Sequence, residues 1–270
     1  MADPVTTGVI LAGTLAVAKR VETFIAAASG HPGEDIGTIL GNIASRRRQN
    51  AETVIGKSDL ILLNLGENPG EVPLNILHPV LEAASLQEDP CLQDTWANLL
   101  ANAADPRQTN PVLPVFATML KDLTAREVKF LDALLEVMAV KQPNPHHHIR
   151  LDARTKGFSA EQLMDVASHA KLLRYRGSHT SVTVAQWKTH EADLVADRRN
   201  FEEMMGLLKR NQILDEIVRT KPIDVMTPIA RAVGSVSTSK DIEVETVTFY
   251  RLSQLGTAFV NACRPPFKTE

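Results

Sequence analysis

Aromatic residues are scarce in this sequence, at 4% of 270 positions. A β-sandwich or barrel core draws heavily on rings and β-branched side chains, so an all-β fold is disfavoured. Cysteine is nearly absent. Only Cys91 and Cys263 occur, far apart and in no metal-like spacing. That argues against a disulfide framework or a structural zinc site, and both cysteines read as reduced small hydrophobes of a cytoplasmic protein. An excess of one charge is missing too. The formal net charge is −3 with 23% charged residues, a balance that promises neither nucleic acid nor an anionic membrane as partner. No apolar run reaches the roughly 20 residues of a spanning helix. Val5 to Ala18 comes nearest, but Thr6, Thr7 and Thr14 dilute it. Asp3 precedes that run and Lys19 and Arg20 follow it, the wrong charge order for a secretory signal, so the chain reads as neither exported nor transmembrane. HExxH, phosphate-loop and GxSxG patterns are lacking, as is GxGxxG after a strand.

What is present is aliphatic and periodic. Apolar residues make up 44%, and a chain of this length buries roughly three quarters of its unfolded surface as one large domain or two modest ones. The spacing predicts helices over Gly8–Ser29 and Glu34 to about Leu63, then a loop with Gly66, Pro69 and Gly70. Pro73 opens a further helix, which Pro79 is expected to kink. Asp89-Pro90 is a cap followed by a first-turn proline. The helix it starts places Leu92, Trp96, Leu99, Leu100 and Ala103 on one face. Pro111–Leu123 reads as another short helix.

Thr124 and Glu127 form a capping box, as do Ser159 and Gln162, whose helix is expected to run to about Leu173. Gln142–His148 is a loop. Ser181–Trp187 alternates loosely and reads as a short strand, followed by a helix over His190–Asn211. Ile213–Val218 and Glu243–Leu252 read as strands, separated by an irregular excursion over Thr220–Lys240. Ser253 starts the closing helix. The expected fold is mainly α: a helical bundle over residues 1–123, then a winged-helix-like module with a small antiparallel β-hairpin over 124–270.

A winged module raises the question of DNA. Its groove helix would carry Arg198, Arg199, Lys209 and Arg210 against Asp197, Glu202 and Glu203, and the wing would add Arg219, Lys221, Arg231 and Lys240. Binding that rests on several phosphate contacts needs a larger surplus of positive charge, so nucleic acid is the less favoured partner. Asp193 and Asp197, beside these arginines, read as a solvated face.

His146-His147-His148 invites a metal reading. Consecutive side chains point apart and no carboxylate or Cys is suitably spaced, so a solvated loop is the expectation. No cluster of ionisable groups suggests catalysis, and no cofactor, metal or small-molecule substrate is expected. Arg47 lies on the apolar stripe of its helix, where a guanidinium must be paired or reach outward, so a structural pairing is preferred to a basic patch. Gly37 and Gly41, at about 1 kcal/mol each in a helix interior, ask for an offset, which is either close packing within the chain or else self-association or contact with a membrane surface.

Val72-Pro73-Leu74 through Pro79-Val80-Leu81-Glu82-Ala83-Ala84-Ser85 is a distinctive run. It continues in Leu92-Gln93-Asp94-Thr95-Trp96-Ala97-Asn98-Leu99-Leu100-Ala101-Asn102-Ala103-Ala104-Asp105. Further pieces are Gly37 to Gly41 with the arginines after it, Pro114-Val115-Phe116 before Leu123 and Glu127, and Leu252-Ser253-Gln254-Leu255-Gly256 with Phe259 and Cys263. From about residue 33 onward the chain thus resembles the abortive infection alpha (Abi-alpha) family of bacteria. The resemblance implies a part in phage defence, as an effector or sensor that limits infected cells. It carries over no reaction and no catalytic residue. Trp96 in this motif reads as core. Asp94, Asn98, Asn102 and Asp105 form a polar stripe, better explained by capping and solvation than by a partner. The reading that follows is a non-enzymatic defence protein acting through protein association. A winged-helix DNA-binding regulator and a peripheral membrane effector using residues 5–29 are the alternatives.

Overall fold

The computed structural model describes residues 34–108, 111–139, 157–179, 181–224 and 242–266. Eight helices and three strands are found among them: α1 Glu34–Leu65, α2 Leu74–Ser85, α3 Pro90–Ala104, α4 Val115–Lys121, α5 Ala125–Ala139, β1 Phe158–Ser159, α6 Ala160–His169, α7 Val184–Arg210, β2 Leu214–Asp224, β3 Ile242–Leu252 and α8 Gln254–Ala262. The protein is mainly helical, with one small antiparallel sheet in the order β1-β3-β2. The helix expected over Gly8–Ser29 and the triple-histidine loop lie outside the described residues.

The described chain divides into two compact units. One holds the residues up to Leu131 together with those from Gln254 onward, and the other holds Asp132–Ser253. This division falls inside α5, and it groups the closing helix with the front half. The physical reason is visible in the first unit. The Phe259 ring of α8 stands edge-on to Phe116 of α4, with centroids 5.7 Å apart, and α8 packs on α3.

In this first unit α3 is the central helix. Leu92, Trp96, Leu99 and Leu100 are buried on one side, and Ala97, Ala101 and Ala104 on another. The alanines leave room for α1, whose Leu62 packs against Ala101 and Ala104. A helix enclosed on most of its circumference needs this all-round apolar pattern. Its start is set as the sequence predicts, for the Asp89 carboxylate accepts from the Cys91 and Leu92 amides and Pro90 occupies the first turn. Helix α1 ends at Gly66 with φ 75, and the Gly66 and Glu67 amides return to the carbonyls of Leu63 and Leu62. That is a Schellman closure, which favours a residue without Cβ. Pro79 lies inside α2, and α4 is shorter than the Pro111–Leu123 helix expected.

In the second unit the hairpin is longer than expected. Strands β2 and β3 pair from Leu214↔Leu252 to Asp224↔Ile242, so the strand runs into the segment read as irregular from Thr220. A two-residue β1 adds to the other edge of β3 at Phe158↔Tyr250. Ser159 and Gln162 form the expected capping box of α6, which ends at His169 rather than near Leu173. Residues Ser181–Trp187 are not a strand. Thr183 and Gln186 make a further capping box, and α7 starts at Val184. The alternation of Val182 and Val184 imitates a strand, while the cap fixes a helix. The start expected at His190 marks a real discontinuity: its φ −122 and ψ 20 are non-helical, joining two helical stretches across a kink. At Thr124 the reach-back half of the box holds, with the Thr124 amide donating to Glu127 Oε2 at 2.8 Å, but the threonine hydroxyl accepts from Arg126, one amide earlier than expected.

Helix α6 also closes with a Schellman pattern, but Lys171 holds the left-handed position at φ 60, its amide and that of Leu172 returning to Ser168 and Ala167. An L side chain is strained there, and Lys171 is exposed. Lys171→Gly is expected to stabilise the protein by about 0.5–1 kcal/mol, and Gly66→Ala to destabilise it by a similar amount. Denaturant unfolding of the two variants checks the opposite signs.

Candidate functional site

The motif residues of α3 converge on one end of α8. A helix leaves its last carbonyls without internal partners, and inside a protein these must be met by other donors. The Asn102 side chain, 2% exposed, donates Nδ2 to the carbonyls of Ala262 at 2.9 Å and Arg264 at 2.6 Å, as well as to Asn98 of its own helix. Asn98 Nδ2 donates to the Cys263 carbonyl at 3.1 Å. The Asn102 side-chain oxygen accepts from Gln108 Nε2 at 2.6 Å. Two amide groups thus close the end of α8, and Trp96 lies buried among the core residues of the same helix.

Asp105 stands just beyond α3. Its carboxylate takes the Arg107 guanidinium through Nε at 3.0 Å and Nη2 at 2.9 Å, and accepts from the Arg107 amide as well. The hydrogen bond from Arg107 holds this carboxyl below the usual aspartate range. The same arginine lies 3.4 Å from Glu67. Arg47 follows the structural reading, for its Nε donates to Ser85 Oγ at 3.1 Å, and Asn50 beside it donates to the Ser85 carbonyl at the end of α2. Asn98, Asn102 and Asp105 are therefore committed to backbone and ion pairing inside the unit, while the more exposed Asp94 pairs with Lys57 at 2.6 Å.

Gly41 behaves differently. It is exposed, and an added Cβ would meet nothing within 4 Å. Among the described residues, none packs closely on Gly41. Gly37 lies within α1, but its surroundings fall outside the described residues.

The second unit holds two carboxylates that the sequence hid. Asp197, read beforehand as solvated, is 0% exposed and accepts from the Arg174 and Tyr175 amides, both at 2.8 Å. Asp165 of α6, equally buried, accepts from Ser178 Oγ at 3.1 Å and from the His179 amide. Ser168 donates to the Tyr175 carbonyl at 2.9 Å. The turn from Arg174 to His179 is thereby fastened to α6 and α7 at once. The signal available in sequence was the aspartate at the apolar register of α7, between Leu194 and Phe201.

The four cations proposed for nucleic acid are all exposed on α7. Arg199 pairs with Glu203 at 3.4 Å, and Lys209 with Glu216 of β2 at 2.6 Å while lying 5.8 Å from the Tyr250 ring centre. Arg198 lines a groove of about 350 Å³ between α6, α7 and β3, with Met164, Phe201, Met205, Gly206 and Tyr250. Glu161 and Glu202 offset Arg198 and Lys209 there. Of the cations expected on a wing, Arg231 and Lys240 lie outside the described residues. Among the described residues no group of His, Cys, Asp and Glu could hold a metal ion, and no helix is long and apolar enough to cross a membrane.

Two measurements test these networks. Asn102→Ala strips donors from buried carbonyls and is expected to cost about 2 kcal/mol or more, with hydrogen exchange accelerated first in the last turn of α8. His179 supplies the other. Burial holds its imidazole below the ordinary 6.5, against the pull of Asp165 and Asp197 and with help from Arg198. The unfolded chain then takes up a proton before the folded one, so the His179 contribution is complete above about pH 6.5 and stability falls as pH drops through that value. Denaturation midpoints compared at about pH 7 and about pH 5 are expected to fall less in His179→Gln than in the parent.

Comparison with known proteins adds one finding. No curated protein and no solved structure matches the chain. The family model described as "Abortive infection alpha" matches residues 46–263, a span that takes in the α3 motif, the buried aspartates and the closing helix. The chain belongs to the abortive infection alpha family.

Proposed function

We propose that this protein serves abortive-infection phage defence by associating with protein rather than by catalysing a reaction. The family implies the defence role. The observation that carries the rest is where the polar motif residues go: Asn98, Asn102 and Asp105 are engaged with backbone and with Arg107. They are not free to meet a substrate. What the protein offers to a partner is surface with exposed apolar side chains, including Val184, Trp187 and Val195 on α7. Exposed apolar side chains interspersed with charge suit a protein contact better than a phosphate backbone.

A second reading has one observation in its favour. The order α5, β1, α6, α7, β2, β3 with sheet order β1-β3-β2 suits a winged helix, with α7 as groove helix. Its charge speaks against DNA. Arg199 and Lys209 are paired, and two glutamates line the groove beside Arg198. Each phosphate contact must come from an available cation, and two of the four on this helix are already engaged.

Expression in a phage-sensitive host is expected to reduce plaque formation while infected cells die rather than recover. Unchanged plaque numbers across phages of several kinds would remove the defence reading. Filter binding of duplex DNA across a salt series is expected to show weak retention, and tight, steeply salt-dependent binding would favour the regulator instead.

A further inference from the structure

We infer that the turn over residues 174–179 is an acid-sensitive latch: protonation of His179 unseats the Tyr175 ring from the kink at His190 and frees the first turns of α7 to swing. The latch lies wholly within the second unit and is independent of the association reading above.

The kink makes α7 two helical stretches rather than one, joined at His190. Residues 183–189 before the joint are all exposed, so the arm they form gains little from burial. What meets the joint is the 174–179 turn. The buried Tyr175 ring lies 5.4 Å from the His190 ring, tilted at 54°. Arg174 also reaches Asp193, just beyond the kink, at 4.0 Å, but both side chains are exposed and the pair contributes little. The setting of the arm therefore follows the setting of Tyr175.

Tyr175 is in turn seated by His179. The two rings meet edge to face, with centroids 5.2 Å apart and 84° between their planes, and the imidazole is hydrogen-bonded to the Tyr175 backbone. Its Nε2 is buried and has no hydrogen-bond partner among the described residues. In the neutral ring this leaves only an acceptor unmet. In an imidazolium both nitrogens are donors, and a charged N–H is left with nothing to meet. The charged groups around the ring are Asp165 of α6 and Asp197 and Arg198 of α7. Arg198 repels a charged ring. The two carboxylates attract it, but they hold Ser178 and the amides of Arg174, Tyr175 and His179, the bonds that fasten the turn. A protonated ring either draws a carboxylate off those donors or swings out to water, and Tyr175 loses its neighbour in both cases.

Gly177 shows how closely ring and turn are joined. A Cβ added there would run into the Tyr175 hydroxyl and ring, so the phenol lies folded across the backbone of its own turn. Ser168 Oγ ties the Tyr175 carbonyl to α6 at 2.9 Å. Ring and turn therefore move together, which couples the His179 seat to the His190 joint. The sign of the effect follows from burial, which holds the closed imidazole below 6.5 in spite of the two aspartates. An opened turn returns the ring to water and to its ordinary value. The open form thus takes up the proton first, and its share grows as pH falls below about 6.5.

The test is hydrogen exchange of the full chain at about pH 7.5 and about pH 5.5, expressed as protection so that the intrinsic pH dependence of exchange cancels. An NMR titration of the histidine ring signals accompanies it. In the wild type, protection over residues 174–179 and 184–189 is expected to fall severalfold, and at most about tenfold, the limit for one proton over the pH unit below 6.5. Strands β2 and β3 of the same unit should keep theirs. The midpoint of the fall should match the His179 titration. His179→Gln, which cannot take the proton, should lose the pH step. Gly177→Ala, which displaces the Tyr175 ring, should leave the arm open at both pH values. A wild type with no local loss overturns the inference, and so does a loss that β2 and β3 share equally, which is unfolding of the unit and not a latch. A pH step that survives in His179→Gln, or an arm that stays closed in Gly177→Ala, overturns it as well. Should His179→Gln be open at both values, the wild-type midpoint decides: agreement with His179 upholds the latch, and agreement with another histidine overturns it.

Discussion

The first unit depends on a donor that arrives from elsewhere in the chain. Helix α8 is nine residues long, too short to hold its shape by propagation alone, and its last carbonyls have no helical partners. Asn102 and Asn98 supply the missing donors. The surrounding core then becomes consistent. Phe259 can meet Phe116 only if α8 keeps its axis, and Trp96 and Leu99 are enclosed within the same unit. The same solution recurs at the end of α2, where Asn50 meets the Ser85 carbonyl. Side-chain amides suit this duty because they carry two donors without a charge to desolvate. The most distinctive polar residues of the family motif are thus explained by architecture.

Much of this was legible in the sequence. The helices from Glu34 to Leu65 and from Pro90 to Ala104 follow from apolar periodicity and from a cap written locally as Asp-Pro. The Ser159–Gln162 box is equally local. Thr183–Gln186 is the same signal, but Val182 and Val184 imposed a competing period of two. What sequence could not supply was partnership at a distance. Nothing near Asn102 announces a helix more than a hundred residues later. Asp197 was obscured by its neighbours Arg198 and Arg199, which point outward while it points in. An aspartate that keeps the register of Leu194 and Phe201 is buried by that register, and two backbone amides make the burial tolerable.

Helix α7 combines two faces of different character. Inward it carries the Asp197 clamp and a methionine-rich core. Outward its charges alternate in sign and nearly cancel. A phosphate-binding helix gains from repulsion between its own cations being relieved by the ligand. Here that relief is already provided by Glu203 and Glu216. Short-range complementarity to another protein surface asks for no such surplus. Alternating sign with interspersed valines is the pattern that discriminates one helical partner and register from another.

The discontinuity of the first unit has a bearing on biosynthesis. A ribosome makes the residues up to Leu131, then the whole of Asp132–Ser253, before it makes the helix that completes the earlier fold. Until residues 254–264 emerge, Asn102 faces a void, Phe116 lacks its aromatic neighbour, and α3 is left partly uncovered. Any truncation that removes α8 takes from Asn102 and Phe116 partners that lie far downstream of them.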